Sequence, residues 1–476
     1  APQVPCGAAG CGRGRRRRAP VVHNPRTPMR LLVVANGYPP RGRWGTEFYT
    51  RELVRGLIAR GHELAVLHPV RSGERPRFTL EEARGADDVP VFLLHNPGDP
   101  KKRFADSYEN ATVDALFETV LERFQPDLVH FTYLLWGLSV GLPAVARRRR
   151  MGRLLTATDY GPLCHRGQFF DWRLEPCGGP RPPEVCARCI RRPSPDDAPL
   201  AQRIAKRSAA DLAALLGGFG RVVTRADVAA RERAVGAAFD ALQRILAPTE
   251  VVKDAYRRAG VPESKLTTLV YSLDETPYLP ARRAPDRASV RFGYLGQFTP
   301  HKGVHVLLQA VRLLSGRLPE SVEPWEVHLF GKPAGGRHQL YARRLFEPDP
   351  GPRVQVHPPF DPDQGPAVLA ELDALVLPSL WDENAPLSCL QARAAGVPVI
   401  GSRVAGIAEV IEEGRHGLLF APGDAQGLAD AMRRVILRRV GRLAQPGLPL
   451  SLEQHLVRLE NLYEELVFEA RAGAPS

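Results

Sequence analysis

Three stretches of this chain carry side chains whose types and spacing suit chemistry. In "GYLGQFTPHKGVHVLLQAVRLL" (293–314) a strand runs through a glycine-containing loop into a helix, and the loop delivers Lys302 and Gly303 to the helix start. Unpaired amides and the helix dipole favour an anion at such a place, and the Lys302 ammonium adds a full charge, so the segment reads as a diphosphate site. An ordinary strand–helix turn with a solvated lysine reads equally well from this loop alone. In "WDENAPLSCLQARAAGVPVI" (381–400) Glu383 lies in a loop, and Gln391 follows on the helix that Pro386 opens and Gly396 ends. The two side chains are spaced to grip two parts of one extended ligand, although a solvated acid and an ordinary helix glutamine would look the same.

The third stretch, "TATDYGPLCHRGQFFDWRLEPCGGPRPPEVCARC" (156–189), combines Asp159 with four cysteines, Cys164, Cys177, Cys186 and Cys189. A C-x-x-C with two further thiols in a Gly/Pro-rich insertion suits a tetrahedral four-thiolate zinc that would shape the loop. Iron–sulfur ligation and four reduced structural thiols are the other readings. Of the remaining cysteines, Cys6 and Cys11 belong to the N-terminal tail and Cys389 faces a helix core.

These residues need a scaffold, and the apolar pattern supplies one. Short apolar runs alternate with helical segments: strands are expected at 30–35, 63–68, 127–132, 153–158, 244–249 and 265–271, with a helix from about Glu47 to Gly61. After "YLPARRAPDRAS" (278–289), which has no apolar period, a second series follows at 291–296, 326–330, 353–357, 373–378, 397–401 and 417–420. The expected fold class is therefore α/β, two Rossmann-like doubly wound parallel-sheet domains with a ligand cleft between them. The boundaries read as a basic tail 1–28 of disordered composition, a first domain 29–280 with the cysteine insertion 164–189, a linker 281–290, a second domain 291–445, and a terminal segment 446–476 holding an amphipathic helix.

Composition narrows the partners. The 476 residues include 58 arginines but 7 lysines, with a net charge of +13. The arginines are spread over every segment and no basic recognition helix or interleaved aromatics appear, so a nucleic-acid partner is not expected. Anionic groups, phosphates or a membrane surface, suit the charge better. The best membrane-spanning candidate, 128–146, contains His130, two glycines and Pro143 and reads as strand plus helix. A cytoplasmic protein, with peripheral contact at the inner face of an anionic membrane, is the expectation.

The segments "MRLLVVANGYPPRGRWGTEFYTRELVRGLIARGHELAVL", "GYLGQFTPHKGVHVLLQA" and "VLPSLWDENAPLSCLQARAAGVPVIGSRVAGIAEVIEEGRHGLLFAPGD" resemble glycosyltransferase family 4, of the GT-B fold, in register and in order across about 29–467. The resemblance implies a nucleotide-diphosphate sugar donor held mainly by the second domain, transfer with retention to a glycan, glycolipid or metabolite acceptor, no catalytic metal, and a last helix returning to the first domain. Carried over by position, Gly45, Gly296, Gln297, Lys302, Glu383, Asn384 and Gln391 would bind the donor, and Glu383 and Asp159 would serve catalysis. A structural zinc in the cysteine insertion is also similar to some members. The chain departs from the family pattern at four places: Gln391 stands for a second Glu, Gln297 for an Arg, Trp44 for a Gly, and Thr158 for a His. Two readings therefore stay open, an active retaining transferase and a GT-B nucleotide-sugar-binding or scaffold protein with impaired turnover.

Overall fold

The computed structural model describes residues 27–42, 45–97, 103–194, 204, 222–279, 289–318, 324–333, 338–347, 349–437 and 446–473. Nearly all of the tail, Trp44, Cys6, Cys11 and most of the expected linker lie outside the described residues.

Fourteen strands form two sheets among the described residues. The first contains β1 (Arg30–Val34), β2 (Glu63–Val70), β3 (Thr79–Arg84), β4 (Pro90–His95), β5 (Leu128–Phe131), β6 (Gly152–Thr156), β7 (Arg244–Ala247) and β8 (Leu266–Thr268), in the order β3-β4-β2-β1-β5-β6-β7-β8. Every pairing is parallel except β3 against β4. The second contains β9 (Val290–Leu295), β10 (Trp325–Phe330), β11 (Val354–His357), β12 (Ala374–Leu377), β13 (Val399–Ser402) and β14 (Gly417–Phe420), all parallel, in the order β11-β10-β9-β12-β13-β14. Both sheets reverse their winding beside the first strand, between β1 and β5 and between β9 and β12. Open parallel sheets bind ligands at the carboxyl ends of the strands flanking such a switch.

The expected strands are present with ends moved by up to three residues, but β3 and β4 were not expected. "TLEEAR" carries three charged side chains because it is a half-exposed antiparallel edge, so it lacks the apolar run used to find the others. β4 is buried along nearly its whole length, yet it opens on Pro90, which reads as a breaker.

Helices cover both faces. Val304, Leu307, Leu308, Val311 and Leu314 of the helix Val304–Ser315 are all buried in the second domain's core. In the helix Thr46–Ala59, Leu53, Val54 and Leu57 are buried, whereas Ile58 is exposed. The 128–146 segment is β5 followed by a helix Leu142–Arg148, and no described helix is long and apolar enough to cross a membrane.

The last helix, Leu452–Ala472, starts with a Ser451–Gln454 capping box and packs on the first sheet. It is held there by a buried polar chain. His130 on β5 bonds Tyr463 Oη at 2.7 Å through Nδ1 and Thr156 Oγ1 at 2.7 Å through Nε2. Arg60 and His62 converge on the buried Glu460 at 2.7 and 3.1 Å.

Candidate active site at the interdomain cleft

On the second domain, β9 ends in a loop shaped by close backbone contacts. Gly296 follows the strand, and a Cβ on the neighbouring Gly331 would lie 1.9 Å from the Gly296 carbonyl oxygen. Gln297 is exposed, and its carbonyl accepts from Tyr294 Oη at 2.7 Å. A single 3-10 turn, Pro300–Lys302, leads to Gly303 at φ 71°, where a Cβ would sit 1.8 Å from the Pro378 oxygen. Glycine is required there twice over, by left-handed backbone and by contact with the loop after β12.

That contact brings the two sequence motifs together. Lys302 Nζ donates to both oxygens of Glu383, at 2.7 and 2.9 Å, and Ser379 Oγ donates to Oε1 at 2.6 Å. Glu383 is 4% exposed. The ammonium also lies 5.4 Å from the centre of the Trp381 ring, a cation–π distance. Next to this pair, Asn384 is buried with both amide atoms unpartnered among the described residues. A buried amide left unsatisfied is costly, and a ligand with hydroxyl groups would satisfy it. Ala385 then adopts φ 61°, a conformation rare for a residue with a Cβ, and the helix Leu387–Ala395 begins after Pro386 without a side-chain cap.

Gln391 sits on that helix, and its Nε2 donates to Tyr278 Oη at 2.9 Å. Tyr278 is buried and belongs to the short turn Thr276–Tyr278 that leaves the first domain. The amide is thus tied to the segment joining the domains, which a carboxylate could do only as an acceptor.

The facing wall comes from the first domain. Asp159 follows β6, and its Oδ1 accepts from Gly161 N at 2.7 Å. Burial pushes its carboxyl up to about 6, partly offset by the Gly161 bond and by Arg231. Thr158 Oγ1 is committed to the Thr132 carbonyl at 2.7 Å. The Tyr160 ring meets Trp381 edge-on at 6.0 Å, and Trp381 meets His301 likewise at 5.3 Å. Burial raises the Tyr160 phenol, and the Asp382, Glu383 and Glu409 carboxylates raise it further. The Tyr160 ring and the loop bearing Trp381, Asp382 and Glu383 therefore meet across the cleft.

Gly45 caps the helix Thr46–Ala59 at φ 47°, and among the described residues no atom lies within 4 Å of where a Cβ would be. Beside the β1 loop lies a cavity of about 410 Å³ lined by residues including Asn36, Arg41, Glu47, His68 and Arg71. Arg71 donates to Asn36 Oδ1 at 2.7 Å and stacks on Tyr133, whose phenol is raised by burial and by Asp159.

The zinc expectation is not supported. Cys164, Cys177, Cys186 and Cys189 fall in one region, but among the described residues no group of three or more His, Cys, Asp or Glu is arranged to hold a metal ion. Cys177 Sγ points to the Gly179 carbonyl at 3.7 Å and Cys186 Sγ to that of Arg181 at 3.5 Å. Burial raises the Cys177, Cys186 and Cys189 thiols, Cys186 to about 11. Asp361 caps a 3-10 turn and Asp363 pairs with Arg51.

Sequence reasoning missed Ser379, Trp381, His301 and Tyr278. Ser379, four residues before Glu383 in a loop after a buried strand, was the one with a readable signal.

Comparison with known proteins agrees with this architecture. The description "Glycosyl transferase 4-like domain" matches residues 44–271, and "Glycosyl transferases group 1" matches 289–438. The chain belongs to the family 4-type glycosyltransferases. D-inositol 3-phosphate glycosyltransferases are among the relatives of this family member. That of Corynebacterium urealyticum is 32% identical over 39% of this chain and 44% of its own length. That of Catenulispora acidiphila is 31% identical over 41% of this chain and 50% of its own. The chain thus spans half or less of the length of these curated relatives. Among solved structures, sucrose-phosphate synthase from Thermosynechococcus elongatus superposes with a TM-score of 0.58 at 16% identity, over 92% of this chain and 99% of that one. Anabaena HepE in complex with UDP and glucose superposes at 0.54 and 14%, over 94% and 100%. At these identities the likeness establishes the shared GT-B fold.

Proposed function

We propose that the protein is a retaining glycosyltransferase that moves a sugar from a nucleoside diphosphate sugar to a glycan, glycolipid or metabolite acceptor. The observation that carries this reading is the Lys302–Glu383–Ser379 cluster with the orphaned Asn384, at the switch point of the second sheet, on the loop whose Trp381 meets Tyr160 of the first domain. HepE, of the same fold, holds UDP and glucose, which supports the donor class.

In this reading the donor diphosphate takes the Lys302 ammonium from Glu383. The freed carboxylate and Asn384 then accept from and donate to the sugar hydroxyls. The bond from the anomeric carbon to the diphosphate oxygen breaks, and a bond to the acceptor oxygen forms on the same face. The acceptor's proton leaves on the departing diphosphate, so the protein's task is to stabilise leaving-group charge and to hold two substrates in line. Lys302 and the uncapped amides of Leu387–Ala395 carry that charge. Gln391 contacts the nucleotide ribose, Gly296 and Gln297 flank the phosphates, and Gly45 lets the β1 loop approach the donor. The acceptor occupies the cavity beside the β1 loop. A cytoplasmic location with peripheral contact to an anionic membrane remains part of the proposal, supported by the four exposed arginines 147–150.

One observation favours the second reading, a binding protein with impaired turnover: Thr158 offers no imidazole to the cleft, and its hydroxyl is already committed to Thr132. Calorimetric titration of UDP, GDP, ADP and TDP into wild type and Lys302→Ala tests the donor site. Binding of one nucleotide, lost in the variant, is expected. If none binds the wild type, the transferase reading fails and the scaffold form of the second reading takes over; if one binds but no sugar transfer is found, its nucleotide-sugar-binding form holds.

A further inference from the structure

The helix Glu250–Arg258 of the first domain has no side-chain cap of its own. Thr249 stands at its N-cap but makes no cap bond, and its hydroxyl is buried without a partner among the described residues. The first amides of the helix bond across the cleft instead. Glu250 N donates to Glu409 Oε2 at 2.7 Å, and Val251 N donates to Glu409 Oε1 at 3.2 Å. A carboxylate on a helix start satisfies open donors and complements the dipole.

Glu409 belongs to the second domain, immediately after the short helix Ala405–Ala408. The other end of that helix is fastened to the donor loop. Ala405 N donates to Asp382 Oδ1 at 3.2 Å, and Gly406 lies so close to the loop that a Cβ there would be 1.6 Å from the Glu383 oxygen. The loop 382–384, the helix 405–408 and the start of helix 250–258 thus form one continuous mechanical unit across the cleft. The contact differs from the pair on the cleft's other flank, where Arg51 bonds Asp363 at 2.8 Å and Asp87 at 3.2 Å and touches no donor residue.

We propose that Glu409 is a positioning residue: seated on the helix Glu250–Arg258, it holds the loop bearing Glu383 and Asn384 against Tyr160 of the first domain. The proposal deepens the donor-site reading above and rests on it.

Hydrogen exchange on the full chain without ligand tests this, using Glu409→Ala, Glu409→Gln and Arg51→Ala, with melting temperatures as the folding control. In Glu409→Ala, exchange at 249–253 and at 380–387 is expected to rise about tenfold. Glu409→Gln, whose amide keeps one acceptor oxygen, should fall between, and Arg51→Ala should leave 380–387 unchanged. A rise confined to 249–253 would reduce Glu409 to a helix cap and overturn the proposal, as would no change in either segment. For whichever of UDP, GDP, ADP and TDP binds the wild type, Glu409→Ala should weaken affinity about fivefold; unchanged affinity overturns the link to the donor site. If none binds, the donor-site reading falls while the exchange result still decides whether Glu409 holds the loop.

Discussion

Removing the ammonium that neutralises Glu383 tests the site through stability as well as through binding. The Glu383 side chain is 5% exposed and that of Lys302 27%, so the pair lies between a fully buried ion pair and a surface one. Breaking a buried pair from one side costs about 3–5 kcal/mol, whereas surface pairs contribute roughly 0–1. Ser379 still donates to the stranded carboxylate, which lowers the cost again. Lys302→Met should therefore destabilise the second domain by about 2 kcal/mol. Glu383→Gln should cost about 1 kcal/mol, because the freed ammonium can turn to water. The double variant Lys302→Met/Glu383→Gln strands no charge, so it should recover about 1–2 kcal/mol relative to the sum of the single changes. Calorimetric melting is the assay, resolved by domain because two domains need not unfold as one. At roughly 2–4 °C per kcal/mol, Lys302→Met should melt about 4–8 °C lower. Additivity within about 0.5 kcal/mol would refute the claim that Lys302 holds Glu383 in place.

Three further outcomes are expected. Gln391→Glu can still meet Tyr278 by accepting from its hydroxyl, and it offers the ribose a charged acceptor, so nucleotide should bind about fivefold tighter by calorimetry; equal or weaker binding would mean that Gln391 does not face the ribose. Asp159 has its folded value raised to about 6, so its contribution to stability is full below about pH 4 and is lost as pH rises through 6. Asp159→Asn should remove that loss, and its melting temperature relative to wild type should climb between pH 4 and 7; a constant difference would show that Asp159 titrates normally. His130 and His455 have folded values lowered to about 3 and about 4 by burial, so their contribution is present above pH 6.5 and lost on acidification towards those values. Exchange in the helix Leu452–Ala472 should therefore rise between pH 6.5 and 4, after correction for intrinsic rates, and less steeply in His130→Gln.

The two sheets were legible because most of their strands are buried on both faces and read as unbroken apolar runs. β3 was not legible for the converse reason: an edge strand with a wet face owes its place to hydrogen bonds with β4, and those depend on backbone, not on side-chain type. The site divides in the same way. Lys302 and Glu383 were each visible, since a cation before a helix and an acid in a loop after a buried strand are local patterns. Their pairing was not visible. It depends on Gly303 admitting the Pro378 carbonyl at a distance no side chain tolerates, a contact across 75 residues of sequence.

The cysteines show the opposite limit, where a local pattern promised more than the fold delivers. C-x-x-C spacing fixes where two thiols leave a helix turn, but a metal site also requires the other two to converge. Here Cys177 and Cys186 turn to nearby carbonyls, and no metal-holding group is found among the described residues. Gln391 points the same way. By sequence it is a deficit, a carboxylate lost from a donor site. In the structure its amide does what a carboxylate cannot, donating to Tyr278 on the segment that joins the domains. Gln391→Glu reverses that bond, with Tyr278 donating to the carboxylate, so hydrogen exchange at Thr276 and Tyr278 should stay at the wild-type rate while nucleotide binding tightens; a rise in that turn would show that it depends on the amide donor.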